Sequence, residues 1–175
     1  MINDFKIAIG LAWMVKQEVM EADKKKLWEY QLPEVAATEP EILDVEQCLG
    51  HPLDPRYKAF LLCASGWKTF YQTLDLFGVH DLSRGKRKEL GDHMLSYVED
   101  IVLKNSGVNR ADLLPIAATP YDRDIFVIVR PNSLLAGYVI WFAGEEIDRF
   151  PTFDDYFLSM VEYNRLEAES LKNQK

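Results

Sequence analysis

Cysteine is scarce in this chain: Cys48 and Cys63 are its two, fifteen positions apart in a sequence of 175 residues. That spacing builds no zinc site, and a chain of this length closes a hydrophobic core without disulfides. Each cysteine falls on the apolar side of an expected helix, and a reducing compartment is the simpler setting. Excess positive charge is missing as well. Lys and Arg number 20 against 28 Asp and Glu, for a net charge of −8. Phosphate binding runs on clustered cations, so nucleic acid is not an expected partner. An acidic surface suits a basic protein instead.

Neither a membrane span nor a targeting segment is expected. Residues 7–15 (IAIGLAWMV) form an apolar run with the length of a signal-peptide core. Only Lys6 precedes it, Asp4 offsets that charge, and Lys16-Gln17-Glu18 stands where a small-residue cleavage site belongs. The run is also too short to cross a bilayer. It reads as a helix buried against the domain of a cytoplasmic protein.

Signals for catalysis are equally thin. The histidines are His51, His80 and His93. His80-Asp81 matches a metal-phosphohydrolase dipeptide, but no local His and Asp set completes the ligands. A small hydrolase using His80 and Asp81 is therefore the lesser reading, and neither a metal nor a cofactor is expected. Ser65 lies in CASGW, which is not a nucleophile elbow. Gly85 and Gly91 flank KRKEL, but no Lys-Ser/Thr pair follows a strand to make a phosphate loop. Arg84, Lys86, Arg87 and Lys88 read as a solvated loop at a helix start. With no repeat, linker or low-complexity block, residues 1–175 read as one domain.

What is present is a series of well-marked elements. The first thirty residues look helical, with Trp13, Val15, Val19 and Met20 on one stripe and Pro33 ending the segment. Thr38 and Glu41 make a capping box, Pro40 sits early in the helix, Ile42, Val45, Cys48 and Leu49 share a face, and Gly50 stops it. Asp54 then caps a second helix that starts at Pro55 and carries Leu53, Tyr57, Phe60, Leu61 and Ala64 on one side. Residues 69–79 read as a strand or a helical turn. Met94, Leu95, Val98, Ile101 and Val102 keep helical spacing up to Gly107.

Beyond Gly107 the period changes. PIAAT, DIFVIVR and GYVIWFAG are β-rich runs separated by TPYDRD and RPNS, and EEIDRF adds another. Thr152 and Asp155 cap a closing helix whose face is Phe153, Tyr156, Phe157, Met160 and Val161; after Arg165 it turns polar and is expected to fray. The fold class is α+β: a single domain with a largely antiparallel sheet of about four to six strands and helices packed on it.

The order of these pieces resembles the SUKH superfamily. The resemblance rests on Leu49, Gly50, Pro52, Leu53, Tyr57, Lys58, Phe60, Leu61, Gly66 and Trp67, then on the 114–116 strand entry, the 124–141 hairpin and Phe153-x-x-x-Phe157-Leu158. It covers residues 41–161, leaving 1–40 as an N-terminal helical segment and 162–175 as the helix end and tail. Members often carry Asn-Gly-Gly where this chain has Ser65-Gly66-Trp67, and Ser where it has Thr152. The superfamily contains bacterial immunity proteins of polymorphic toxin systems and a fungal regulator of cell-wall synthesis. Membership implies a non-enzymatic protein that binds a toxin directly, or a regulator of the same fold without one.

For such a binder the acidic C-terminal third is the candidate surface. Each pair of acids has a local role, Glu145-Glu146 in a hairpin turn and Asp154-Asp155 at a helix N-terminus. Together, Glu145, Glu146 and Asp148 present negative charge to a basic toxin domain. Among the aromatic candidates Trp67, Tyr71, Tyr121 and Trp141, the first and last are expected in the core. Tyr121, beside Asp122 in the TPYDRD turn, is expected to be exposed.

Overall fold

The computed structural model describes residues 1–173. Helices α1 (Phe5–Ala22), α2 (Glu39–Leu49) and α3 (Pro55–Leu61) lead into the hairpin β1 (Trp67–Tyr71) and β2 (Leu74–Leu76). Three helices follow, α4 (Val79–Ser83), α5 (Lys86–Tyr97) and α6 (Asp100–Asn105), then β3 (Leu113–Ala118), β4 (Ile125–Val129), β5 (Val139–Phe142), β6 (Glu146–Phe150) and α7 (Phe153–Asn173). The six strands pair antiparallel in sequence order. The fold is α+β, and its sheet is the expected meander.

Both faces of the sheet are covered. Phe126, Ile128 and Val139 join Phe5, Phe60, Phe153 and Phe157 in the core that α1, α3 and α7 build. Those rings interlock, with Phe60–Phe153 centroids 5.5 Å apart and Phe5–Phe157 centroids 5.8 Å apart. Ile125, Val127 and Val129 point the other way, into a second core with Leu95, Val98 and Leu103 from α5 and α6. Two covered faces explain why β4 is an unbroken apolar run and not an alternating one.

The local chemistry of the motif is as the sequence spells it. Thr38 and Glu41 complete the capping box, Gly50 ends α2 in the left-handed region at φ 73°, and Asp54 accepts the Arg56 and Tyr57 amides. Leu53, Tyr57, Phe60, Leu61 and Ala64 are all buried. The Ser65-Gly66 step is tighter than any cap. Gly66 adopts φ +100°, and a Cβ there would lie 2.7 Å from the Gly78 nitrogen. On Gly78 itself a Cβ would fall 1.9 Å from the Ser65 carbonyl oxygen. Two chain segments cross here with room for hydrogens only. Trp67 begins β1 fully buried, its indole N–H donating to the Gln31 carbonyl at 2.8 Å.

Several expectations are corrected. The opening helix stops at Ala22, not near Pro33. The Asp23 carboxylate gathers the Leu27 amide at 2.7 Å and the Tyr30 hydroxyl at 2.9 Å, which turns the chain into an extended path. That path borders the β1 entry, with Glu34 N–H donating to Gly66 and Ser65 N–H donating to Val35. Met20, Cys48 and Ile101 are exposed and leave the stripes assigned to them. Residues 86–91 are the first turns of α5, not loop. The single helix expected through Val102 is two, broken at Val98-Glu99, where the Arg110 guanidinium donates to the Leu95 and Val98 carbonyls. Beyond Arg165 the polar stretch stays helical to Asn173 because Ala168 and Leu171 pack on Val19. Residues 174–175 of the expected tail lie outside the described residues.

Candidate functional site at the turn end of the sheet

In an antiparallel meander alternate turns fall at the same end. The β1–β2, β3–β4 and β5–β6 turns therefore gather on one side, and the 119–124 turn sits between the other two. It is held on both flanks. The Thr119 hydroxyl meets the Thr73 hydroxyl at 2.8 Å and accepts the Tyr121 amide at 3.3 Å. Asp124 accepts the Trp141 indole N–H at 2.7 Å. Burial pushes the Asp124 carboxyl above its ordinary range, against that indole bond, and the Asp122 charge adds to the rise. The crest carries Tyr121, 81% exposed, followed by exposed Asp122 and Arg123.

A cleft of about 440 Å³ runs along one side of this crest. Leu90 and Met94 of α5, Val98 just past its end, Pro120 and Gly144 of the β5–β6 turn all line it. His93 and Tyr97 stand on the helix side, their rings edge-to-face with centroids 4.6 Å apart. Tyr97 is 71% exposed. On the far side of Pro120 and Tyr121, a second hollow lies against Leu27, Trp28 and the β1–β2 turn. Tyr121 thus stands on a ridge between two depressions.

The three acids assigned to one surface are not together. Glu145, in the turn next to Gly144, is exposed at the cleft end. Strand alternation would put Glu146 and Asp148 on one face, but a bulge intervenes: Phe142 pairs with Glu146 while Trp141 pairs with Asp148. Opposed residues share a face, so Glu146 turns toward the α5–α6 side and Asp148 toward α7. Glu146 is also engaged, pairing with Arg149 at 2.7 Å. Burial works to raise its carboxyl, but the bonds from Arg149 and Ser106 outweigh that and hold it below the usual range. Asp148 is exposed on the edge strand, where it accepts the Arg149 amide at 2.7 Å.

His80 and Asp81 do not converge on a catalytic centre. The His80 ring lies on the surface, with the Glu41 carboxylate 3.9 Å away. Asp81 instead accepts the Gly78 amide at 3.0 Å and the Arg87 guanidinium at 2.9 Å. Arg87 also pairs with Asp75 at 2.8 Å and Glu34 at 3.3 Å, so this member of the basic cluster is a half-buried clamp and not a free cation. Among the described residues, no group of three His, Cys, Asp or Glu side chains is placed to hold a metal ion. None of their helices is long and apolar enough to cross a membrane. Trp67 is core, and Trp141 and Tyr71 are half-buried against Tyr163.

Tyr97 is not singled out by the sequence, and His93 is marked there only as a histidine without a ligand set. Their four-residue spacing is visible as a helix face, but nothing local brings that face to the β3–β4 turn. Only the long-range packing of α5 on β3 does.

The model of the SMI1 / KNR4 family (SUKH-1) matches residues 36–159, well over half of the chain. The sheet, both motif helices and the turn end lie inside that span, whereas α1 and the last two thirds of α7 lie outside it. No curated protein matches the chain.

Proposed function

The chain belongs to the SMI1 / KNR4 family (SUKH-1), and on that footing we propose that it is a non-enzymatic immunity protein that neutralises a cognate toxin by direct contact. The observation that carries the reading is the turn end of the sheet: an exposed tyrosine on a braced crest, beside a cleft, in an acidic protein. Interfaces draw most of their energy from a few such aromatic anchors, and net charge sets how fast partners meet. The expected partner is a basic toxin domain, held in the cytoplasm and blocked by occlusion.

The test has two arms. The immobilised chain captures its partner from a lysate of its own cells, and mass spectrometry identifies it. The partner is then expressed in a sensitive host with and without this chain. Growth rescued by the chain supports immunity. Capture of a harmless protein supports the second reading, a regulator of the same fold, which the fungal members of the superfamily favour. Turnover of the captured protein by this chain contradicts both.

A further inference from the structure

The cleft beside Tyr121 has a character that narrows what it takes. Leu90, Met94, Val98 and Pro120 give it a mainly apolar lining. These side chains are fixed from behind: Arg110 ties down the last carbonyls of α5, and the Thr73–Thr119 hydroxyl contact braces the opposite wall. A rigid hollow of about 440 Å³ has room for one or two apolar side chains and costs little ordering to fill.

Its surroundings carry more negative charge than positive. Asp122 lines the cleft, Glu145 adjoins Gly144, and Glu99 follows Val98; all three are exposed. None has a basic partner among the described residues, whereas nearby Asp92 pairs with Lys88. Arg123 balances Asp122 on the lining itself, and the negative excess comes from Glu145 and Glu99, the chain neighbours of lining residues Gly144 and Val98. The exposed ring of Tyr97, on the lining, adds a face able to receive a cation.

From this we propose that the α5 and β3–β4 cleft is the anchor site for a protein segment in which an apolar side chain is flanked by Lys or Arg. The apolar group enters between Met94 and Pro120. The flanking cations lie against Asp122, Glu145 and the Tyr97 ring. This assignment rests on reading the chain as a protein-binding module and adds the chemistry of the segment it grips.

A phage-displayed library of random dodecapeptides, selected on the full-length chain, tests the assignment without knowledge of the natural partner. Expected is enrichment of peptides with an aliphatic or aromatic residue beside Lys or Arg, and binding about tenfold or more weaker to Tyr97→Ala and to Asp122→Lys. Both substituted residues are exposed, so the fold is expected to persist, and circular dichroism confirms it. Enriched acidic peptides, undiminished binding to both variants, or no enrichment overturns the cleft assignment. A cellular partner captured equally well by both variants overturns it too, while leaving the proposed function standing.

Discussion

The Arg56 guanidinium lies 3.0 Å from the Asp154 carboxylate, joining the motif helix α3 to the first turn of the closing helix α7. Asp154 is 2% exposed and also accepts the Ile2 amide at 2.9 Å, while Arg56 donates to the Ile2 carbonyl. One buried carboxylate therefore fastens the chain start, α3 and α7 together.

The two halves of this pair are expected to differ on mutation. Arg56→Met strands a buried negative charge and is expected to cost about 3 kcal/mol, because unpaired buried ions are poorly tolerated. Asp154→Asn keeps an acceptor for Ile2 and relieves the repulsion felt by the nearby half-buried Asp54. It is expected to cost less. Urea melts of both variants check the order, and equal losses would contradict it.

Gly78→Ala tests the chain crossing. With 1.9 Å between the added Cβ and the Ser65 carbonyl oxygen, backbone must move. Overpacking of this kind is expected to cost about 3 kcal/mol. Gly10→Ala serves as the control, since nothing lies within 4 Å of a Cβ there and Ala favours helix. Thermal denaturation separates the two.

Lys16 gives the pH dependence. Its ammonium is buried under α1, donating to the Thr69 carbonyl and, at 3.3 Å, to the Phe70 carbonyl, and these bonds close the outer edge of β1. Burial pulls its pKa from 10.5 down to about 8. The unfolded chain then holds this proton over a range where the native state has released it. Stability from this group therefore rises as pH climbs from about 8 toward 10. Above that, burial keeps Tyr57 and Tyr156 protonated in the native state while their unfolded counterparts ionise, so stability falls. Chemical denaturation across this range is expected to show a maximum. In Lys16→Met the rise is lost and the alkaline fall remains.

Charge reversal separates the acids by position. Asp122→Lys and Glu145→Lys are expected to slow association with a captured basic partner severalfold and to flatten its salt dependence, with stability unchanged. Glu146→Lys is expected to lower stability instead, since it breaks the pair with Arg149. Stopped-flow association rates and melts distinguish these outcomes.

Much of the framework is legible in the sequence because its signals are local. Thr38, Glu41, Asp54 and Thr152 cap where their side chains reach the next turn, and β-rich runs joined by short turns dictate a meander. The features that escape are those fixed by distant neighbours. Asp154 looks like a helix-dipole residue until Arg56 and Ile2 are placed beside it. Gly78 looks ordinary until Ser65 crosses it. The split between Glu146 and Asp148 depends on a bulge that no alternation pattern announces. Of the candidate site, exposed Tyr121 is readable from its turn, whereas the cleft exists only because α5 docks on β3.

Hydrogen exchange on the complex with the captured partner examines the binding face directly. Protection is expected in peptides covering residues 90–98, 119–123 and 143–146, with α1 and the outer side of α7 exchanging as in the free chain. Protection confined to α1 or α7, or none at the turn end, would contradict the assignment of that end as the face that meets the partner.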